Sequence, residues 1–200
     1  MGLRARVGTG EVTVEVADDR LKDPSGLRSL LNKLGARVVS ESQTAFRKQK
    51  WDGKPWLRQY PSMGDPFVHV AGILSDVNEG RTPRPSRLTR GPALLDTGRL
   101  RSSVSHRIVG PNEVEIGSAL PYAGTHQFGG PSSMPVKPAG RKILAKWARR
   151  QKKAIREKIG FLFSIDRLDT DVARRPFLGA TEALEKDLAA IVERHILGGS

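Results

Sequence analysis

An α+β fold is predicted by three features of this sequence of 200 residues. A strand pattern and a long amphipathic helix pattern lie near the N-terminus, a β-hairpin pattern occupies the middle, and a second amphipathic helix pattern lies near the end. These elements indicate a small, mostly antiparallel β-sheet together with a long N-terminal helix and a C-terminal helix. We expect a single domain over 1–200. Its first half is an N-terminal strand and helix (1–50) and a long Pro/Gly-rich loop (51–92). A capped turn, hairpin and loop (93–130), a basic helical insertion (131–165), and a closing strand or loop with the C-terminal helix (166–200) follow.

The N-terminal strand and helix have the clearest periodicity. In residues 11–17, EVTVEVA, valines alternate with polar residues, which is the period of a half-buried strand. Asp23-Pro24 then supplies an N-cap followed by a proline in the first helical turn. Apolar residues recur at helical spacing from Leu27 to Phe46, so a helix is predicted over about 25–49.

Residues 51–92 alternate prolines with glycines, which excludes a long helix or a central strand. Structureless connections of this length are uncommon in compact domains, so we expect part of this loop to become ordered against a partner. Trp51 and Trp56 bracket the sequence DGKP, and two interpretations of them are open: packing beside the core, or anchoring of an interface.

The stretch Leu94–Gly130 is the part around which the rest of the chain is organised. Asp96 and Thr97 can cap a short helical turn. Two alternating runs within 104–116 are joined by the turn-forming pair Pro111-Asn112, which predicts a β-hairpin. A loop follows, and its large side chains are Tyr122, His126 and Phe128.

The last third of the chain is predicted to be mainly helical. A basic helix is expected over about 139–159, followed by a short strand over 161–165. The final helix is expected to begin at about Thr181, with Gly198 as its stop.

The net charge of +13 is concentrated in two segments. Residues 141–158 hold nine Lys or Arg against one Glu, and residues 81–107 hold seven Arg against one Asp. Such segments favour polyanions or acidic proteins as partners. For the basic helix, the plain alternative is a solvated face whose long side-chain stems shelter a narrow apolar stripe.

No enzyme class is indicated by a sequence motif. The chain has no cysteine, which excludes a thiol nucleophile and cysteine-ligated zinc, and its four histidines do not form the pair that a helix-borne metal site requires. A serine-hydrolase turn, a phosphate loop and a dinucleotide fingerprint are all missing from the sequence. We therefore expect no catalytic residue, no metal and no cofactor. No run approaches the ~20 apolar residues that span a bilayer, so a soluble protein made in a cytoplasm is the simplest interpretation.

The second half of the chain carries four short motifs. They are a Thr-Gly-x-Leu-x-x-Ser turn, an Ile-Gly-Ser strand end, a Tyr-Ala-x-x-His-Gln-Phe-Gly loop and an Arg-Pro-Phe-Leu-Gly segment before the last helix. The residues that form them are Thr97, Gly98, Leu100 and Ser103; Ile116, Gly117 and Ser118; Tyr122, Ala123, His126, Gln127, Phe128 and Gly129; and Arg175, Pro176, Phe177, Leu178 and Gly179. Together with Phe46, Trp51-Asp52-Gly53 and Trp56, these motifs resemble the bacteriophage virion-morphogenesis or tail-completion family over roughly residues 25–197.

The resemblance implies a structural virion protein without enzymatic activity. It implies a neck- or tail-terminator-like fold, in which a small sheet is flanked by helices, and a homo-oligomeric, six-fold ring at the head–tail junction or tail end. The implied partners are further copies of the chain and other phage neck, connector or tail-tube proteins, with phage DNA passing through the channel. The implied location is the virion, after assembly in the host cytoplasm.

The resemblance also assigns a set of residues to the fold and the subunit contacts. Glycines in this set would allow close backbone approach or positive φ, and Tyr122 and Phe128 would be interface anchors. The candidates are Asp96, Thr97, Gly98, Leu100, Ser103, Gly117, Tyr122, His126, Gln127, Phe128, Gly129, Pro176, Phe177 and Gly179. A ring interface joins two different patches, for which the hairpin–loop side and the loop 51–92 are the candidates.

The basic helix is expected to contact either DNA or acidic partner proteins. The candidate contacts are Arg149, Arg150, Lys152 and Lys153. Because DNA must slide through a channel, and a dense ring of cations would hold it, acidic proteins at the outer or end surface are favoured. The alternative function is a non-specific nucleic-acid-binding protein that uses residues 81–107 and 139–159.

Overall fold

The computed structural model describes residues 2–7, 11–18, 21, 23–56, 69–88, 94–95 and 97–198. The strands are β1 (Gly2–Val7), β2 (Glu11–Ala17), β3 (Lys50–Trp51), β4 (Lys54–Pro55), β5 (Val104–Gly110), β6 (Glu113–Ser118), β7 (Gly130–Pro135) and β8 (Arg167–Val172). The helices are α1 (Pro24–Lys48), α2 (Val70–Asn78), α3 (Arg99–Ser103), α4 (Ala123–Phe128), α5 (Pro138–Ala148), α6 (Lys153–Ile159) and α7 (Glu182–Ile196). Short 3-10 turns lie at Pro85–Leu88 and Gly160–Phe163. This mixture of helices with antiparallel strands confirms the α+β class.

These residues form two compact units, each with its own apolar core. Unit 1 lies within Met1–Leu57, Ala93–Gly129 and Arg174–Ser200, and unit 2 lies within Arg58–Pro92 and Gly130–Ala173. The single domain expected from the sequence stays a prediction.

Unit 1 is built on an antiparallel sheet with the strand order β1-β2-β6-β5. Val12 lies opposite Ile116, and Val14 lies opposite Val114, so these fully buried side chains share one face of the sheet. Strands β5 and β6 also pair antiparallel, which confirms the central hairpin. Its turn is fixed by Asn112, whose backbone and side chain both hydrogen-bond to the backbone of Val16 in β2.

Helix α1 covers the buried face of this sheet, and helix α7 packs against α1. Helix α1 begins where the sequence predicts, because the Asp23 carboxylate accepts hydrogen bonds from the backbone N–H groups of Ser25 and Gly26. A hydrogen bond from the Ser25 hydroxyl, together with these two backbone bonds, lowers the pKa of Asp23. Helix α7 starts in the same way, with Thr181 Oγ1 accepting from Leu184 N at 3.2 Å.

Unit 2 packs α2, α5 and α6 against each other and against the β7–β8 pair. Its core includes Ile73 and Leu74 of α2, Leu144 and Trp147 of α5, and Ile159 of α6. Gly140 lets α5 approach α2 closely, since a Cβ there would lie 3.1 Å from the carbonyl oxygen of Val77.

The basic helix predicted over 139–159 is in fact two helices, α5 and α6, with a break at residues 149–152. Gln151 stands where the apolar stripe of a continuous helix would need a core residue after Trp147 and Ala148. The neighbouring cations, Arg149 to Lys153, repel each other at helical spacing and favour the break further. The strand predicted over 161–165 is also wrong. Its first three residues belong to the 3-10 turn at Gly160–Phe163, in which Leu162 is buried while Phe161 and Phe163 are exposed.

The segment 51–92 is not loop throughout, because it contains the β3–β4 pair and helix α2. Residues 57–68 and 89–92 of the expected loop lie outside the described residues. In the part of the chain that the structure describes, no helix is both long and apolar enough to cross a membrane.

Candidate assembly interface

The first family motif forms the turn that leads into the hairpin. Gly98 has φ +68, which favours glycine, and Thr97 Oγ1 accepts a hydrogen bond from Arg99 N at 3.3 Å. Leu100 is buried in the core of unit 1. Ser103 Oγ lies 2.8 Å from the carbonyl oxygen of Leu100 and 2.7 Å from Ser118 Oγ, and so joins this motif to the strand-end motif. Asp96 lies outside the described residues.

The expected loop after the hairpin contains a short helix, α4, that displays two aromatic rings. Tyr122 is 40% exposed and Phe128 is 44% exposed, although both are large and mainly apolar. The ring of His126 stands edge-on to that of Tyr122, with 5.9 Å between their centroids. Gly129 ends the helix with φ +74, which confirms the expected positive φ.

Gln127 points the other way, into the core, and holds the segment before α7. Its Oε1 accepts hydrogen bonds from the backbone N–H groups of Phe177 and Leu178 at 2.9 and 3.1 Å. Its Nε2 donates to the carbonyl oxygen of Leu178. The backbone carbonyl of His126 accepts from Arg175 N at 2.8 Å. The loop motif and the closing motif are therefore two halves of one hydrogen-bonded joint.

The closing motif completes an aromatic cluster in unit 1. The rings of Phe177 and Phe46 have centroids 5.2 Å apart, and Trp56 meets Phe46 edge-on at 5.5 Å. Trp56 Nε1 donates to the carbonyl oxygen of Pro176 at 2.8 Å. A Cβ at Gly179 would lie 3.2 Å from the ring of Trp51, so the expected close approach at this glycine is confirmed. For Trp56, the packing interpretation is the right one.

The candidate residues thus divide into buried ones and displayed ones. Leu100, Gln127, Phe177 and Gly179 are buried within unit 1, and Gly117 is paired with Glu11 and Ser105 inside the sheet. Tyr122 and Phe128 are the candidates that present large apolar side chains at the surface. The sequence motif could not separate the two groups, because the partner of Gln127 lies some fifty residues further along the chain.

The first basic segment is largely engaged by acidic side chains. Asp76 is fully buried in unit 2, and Arg87 donates to both of its oxygens, from Nε at 2.9 Å and from Nη2 at 3.2 Å. Arg84 and Arg81 reach the same carboxylate, with Nη2 at 3.2 and 3.4 Å from Oδ1. In unit 1, Arg107 pairs with Glu115 at 3.0 Å. Four of the described arginines of this segment are therefore paired within the chain, which weakens the expectation that the segment binds a polyanion or an acidic protein.

The Asp76 carboxylate is kept ionised by these contacts. Burial alone would raise its pKa, but hydrogen bonds from the Arg87 side chain and the Arg84 backbone, with the charge of Arg87, lower the pKa of Asp76 to about 2. In the sequence, the signal for this cluster is an Asp that precedes three arginines by five to eleven residues.

The second basic segment lies at the surface. Arg149, Arg150, Lys152 and Lys153 are all exposed around the break between α5 and α6. In this part of the structure, the ion pair between Lys153 and Glu157, 3.8 Å long, joins two exposed side chains.

The histidines have mainly packing positions. A Cβ built on Gly35 of α1 would lie 2.6 Å from the ring of His106, so this strand histidine packs directly on the helix backbone. Among the described residues, no group of three or more His, Asp or Glu side chains could hold a metal ion.

Comparison with known proteins agrees with the motif set. The family model described as the phage virion morphogenesis family matches residues 13–197. No curated protein and no solved structure has detectable similarity to the chain. Because the family match covers nearly the whole sequence, the chain belongs to the phage virion morphogenesis family and has a structural role in the assembly of the phage particle.

Proposed function

We propose that this protein assembles into a homo-oligomeric ring at the head–tail junction of a tailed phage, where it completes the tail or neck and allows heads and tails to join. Six copies form the ring, and its partners are neck, connector or tail-tube proteins of the same phage. Membership of the virion morphogenesis family supports the structural role, and the exposed aromatic pair on α4 supports the subunit contact.

The aromatic pair is the observation that carries the proposal. Tyr122 and Phe128 flank a short helix whose position is fixed from inside by Gln127. Aromatic side chains held in place before binding lose little conformational entropy on association and are common interface hot spots. A protein that remained a monomer would gain nothing from exposing both rings.

A closed ring requires a second, different patch on each copy. The β3–β4 turn of unit 1 is our candidate, because Asp52 and Gly53 are exposed at its tip and both have positive φ. Trp51, packed beside Gly179, ties this turn to the core that also positions α4.

The proposal is tested by replacing both rings, Tyr122→Ser with Phe128→Ser, in a phage whose own copy of the gene is deleted. Each anchor removed is worth ~2 kcal/mol, or ~30-fold in subunit affinity, so the ring should dissociate in sedimentation experiments. Particles made with this variant should accumulate as separate heads and tails in electron micrographs.

Leu197→Ser is the matched control, because Leu197 is an apolar side chain of unit 1 that is 84% exposed. It should leave both the ring and the particles intact. Normal joining and infectivity in the deletion phage, without any copy of the protein, would refute the proposed function.

Nucleic-acid binding as the principal function has weaker support. That alternative needs both basic segments as a footprint, and in the first segment Arg81, Arg84 and Arg87 surround the buried Asp76. The second segment is considered by itself below.

A further inference from the structure

The positive charge of the protein is concentrated in unit 2. The ranges of unit 2 contain sixteen Lys or Arg against seven Asp or Glu, a net charge of +9 out of the +13 of the whole chain. Unit 1, although longer, has a net charge of +4. Because the arginines near Asp76 are engaged inside unit 2, the excess lies on α5, α6 and the turn between them.

We call the exposed cations of α5, α6 and the turn between them the α5–α6 basic surface. Its exposed members are Lys142, Lys146, Arg149, Arg150, Lys152, Lys153 and Arg156. Lys142 and Lys146 lie four residues apart on one side of α5, and Arg149 and Arg150 follow directly after its last residue. The opposite side of α5 is buried through Leu144 and Trp147, which pack with α2 and β8. The core of unit 2 is thus completed by other elements and does not need lysine stems to shelter it.

Folding gains little from this arrangement. Like charges four residues apart on a helix destabilise it, typically by ~0.2–0.5 kcal/mol a pair. Lys152 and Lys153 also lie at the start of α6, where the helix dipole disfavours positive charge, and no acidic residue lies in that first turn. A polyanion bound on this surface would remove both costs.

The composition of the surface distinguishes between an acidic protein and a nucleic acid. Lysine is depleted in the centres of protein–protein interfaces, whereas protein–DNA interfaces are much more positively charged. Four of the seven exposed cations are lysines. From Lys142 to its end at Ala148, helix α5 spans ~9 Å, along which duplex DNA presents about five phosphate charges.

We propose that the α5–α6 basic surface binds the phosphate backbone of duplex DNA without reading its sequence. Phosphate contacts position a protein on DNA but carry no sequence information, which suits a protein that meets whatever DNA is present. This inference replaces the preference for acidic proteins drawn from the sequence. It does not depend on the ring, because the surface lies within unit 2 of a single copy.

The test compares two variants with the same change in charge and the same residue types. The first replaces Arg149, Arg150, Lys152 and Lys153 by Gln. The control replaces Arg28, Lys33, Arg47 and Lys48 by Gln, which are exposed on α1 in unit 1. Full-length proteins are titrated into a fluorescent duplex of mixed sequence, with salt varied from about 50 to about 200 mM.

We expect the wild-type affinity to fall steeply with salt. The first variant should bind at least ~10-fold more weakly at low salt, and its log–log salt slope should be shallower by ~0.9 for each phosphate that the protein no longer neutralises. The control should keep the affinity and slope of the wild type. Lys142→Gln with Lys146→Gln, away from the turn, should shift both quantities in the same direction as the first variant.

Three results would overturn the inference. Equal losses of affinity in the variant and the control would mean that total charge matters and this surface does not. If the wild-type protein does not bind the duplex but does bind poly-glutamate, the partner of this surface is an acidic protein. A variant that no longer forms the ring in sedimentation would make the surface a subunit contact, whereas loss of DNA binding with an intact ring supports the inference and leaves the proposed function unaffected.

Discussion

Gln127 shows how a single side chain in a family motif can serve the fold and leave the surface to its neighbours. It is buried, and it satisfies three backbone groups of Phe177 and Leu178. Tyr122, just before the same short helix, and Phe128, its last residue, are exposed. The motif therefore combines an internal clamp with displayed rings, and substitutions should separate the two roles.

Replacing Gln127 by Ala should destabilise the protein without touching the displayed rings. Two buried N–H groups and one carbonyl would lose their partner, each at ~1 kcal/mol or more, so we expect a loss of ~3 kcal/mol in the free energy of unfolding. Gln43→Ala is the control, because the Gln43 side chain makes one hydrogen bond to the Arg101 carbonyl and should cost ~1 kcal/mol. Denaturant unfolding measures the free energy of unfolding of both variants. Equal losses would show that the three hydrogen bonds of Gln127 stabilise the protein no more than the single one of Gln43.

At the scale of elements, the seating of α1 on the sheet depends on Gly35. Ala is the better helix former by ~1 kcal/mol, yet a Cβ here would lie 2.6 Å from the His106 ring and 2.9 Å from its Cβ. Overpacking of this kind costs ~1–3 kcal/mol, so Gly35→Ala should lower the unfolding free energy on balance. In a His106→Ala background the same substitution should become neutral or stabilising. An unchanged loss in that background would rule out this contact as the cause.

The elements that the sequence predicts correctly are those in which the hydrophobic pattern repeats over several periods. Helix α1 has seven turns of apolar spacing and an Asp-Pro start, and the hairpin has alternating residues on both sides of Pro111-Asn112. In both elements the hydrophobic pattern agrees with the tertiary packing, so the pattern alone predicts the element.

The elements that were missed are short or carry prolines. Strand β7, GPSSMP, contains Pro131 and Pro135, and among the described strands it pairs only with β8. Such a strand tolerates proline at an edge, but its sequence favours a linker. Its partner β8 does alternate, since Leu168 is buried between exposed neighbours, and this signal was present in the sequence. No local pattern in the sequence indicates the hydrogen bonds of Gln127, because both of its partner residues lie some fifty residues later in the chain.

At the scale of the whole molecule, the two units have separate cores and different charge. Unit 2 contains the buried ion pair of Asp76 and Arg87, in which the guanidinium group of Arg87 donates a hydrogen bond to each carboxylate oxygen of Asp76. Its pKa, about 2 in the folded protein against 3.8 for an ordinary Asp, links the stability of unit 2 to pH. Because the folded pKa is the lower one, the contribution is complete above pH 3.8 and is lost as the pH falls towards 2.

Asp76→Asn should therefore destabilise unit 2 and leave unit 1 unchanged. Ionisation of Asp76 contributes ~2 kcal/mol at neutral pH, and leaving Arg87 buried without its carboxylate raises the cost to ~3–5 kcal/mol. Amide hydrogen exchange at neutral pH should quicken at Ile73 and Leu144, while Val14 and Ile116 exchange as in the wild type.

Two further results test the role of the Asp76 carboxylate, and a third decides how the units are coupled. The variant should also lose the wild-type fall in stability between pH 3.8 and about 2. Asp169→Asn, an exposed carboxylate of β8 in the same unit, should change stability by less than ~0.5 kcal/mol. If exchange at Val14 and Ile116 quickened together with that at Ile73, the chain would unfold as the single domain predicted from its sequence, because destabilisation of one core would then be felt equally in the other.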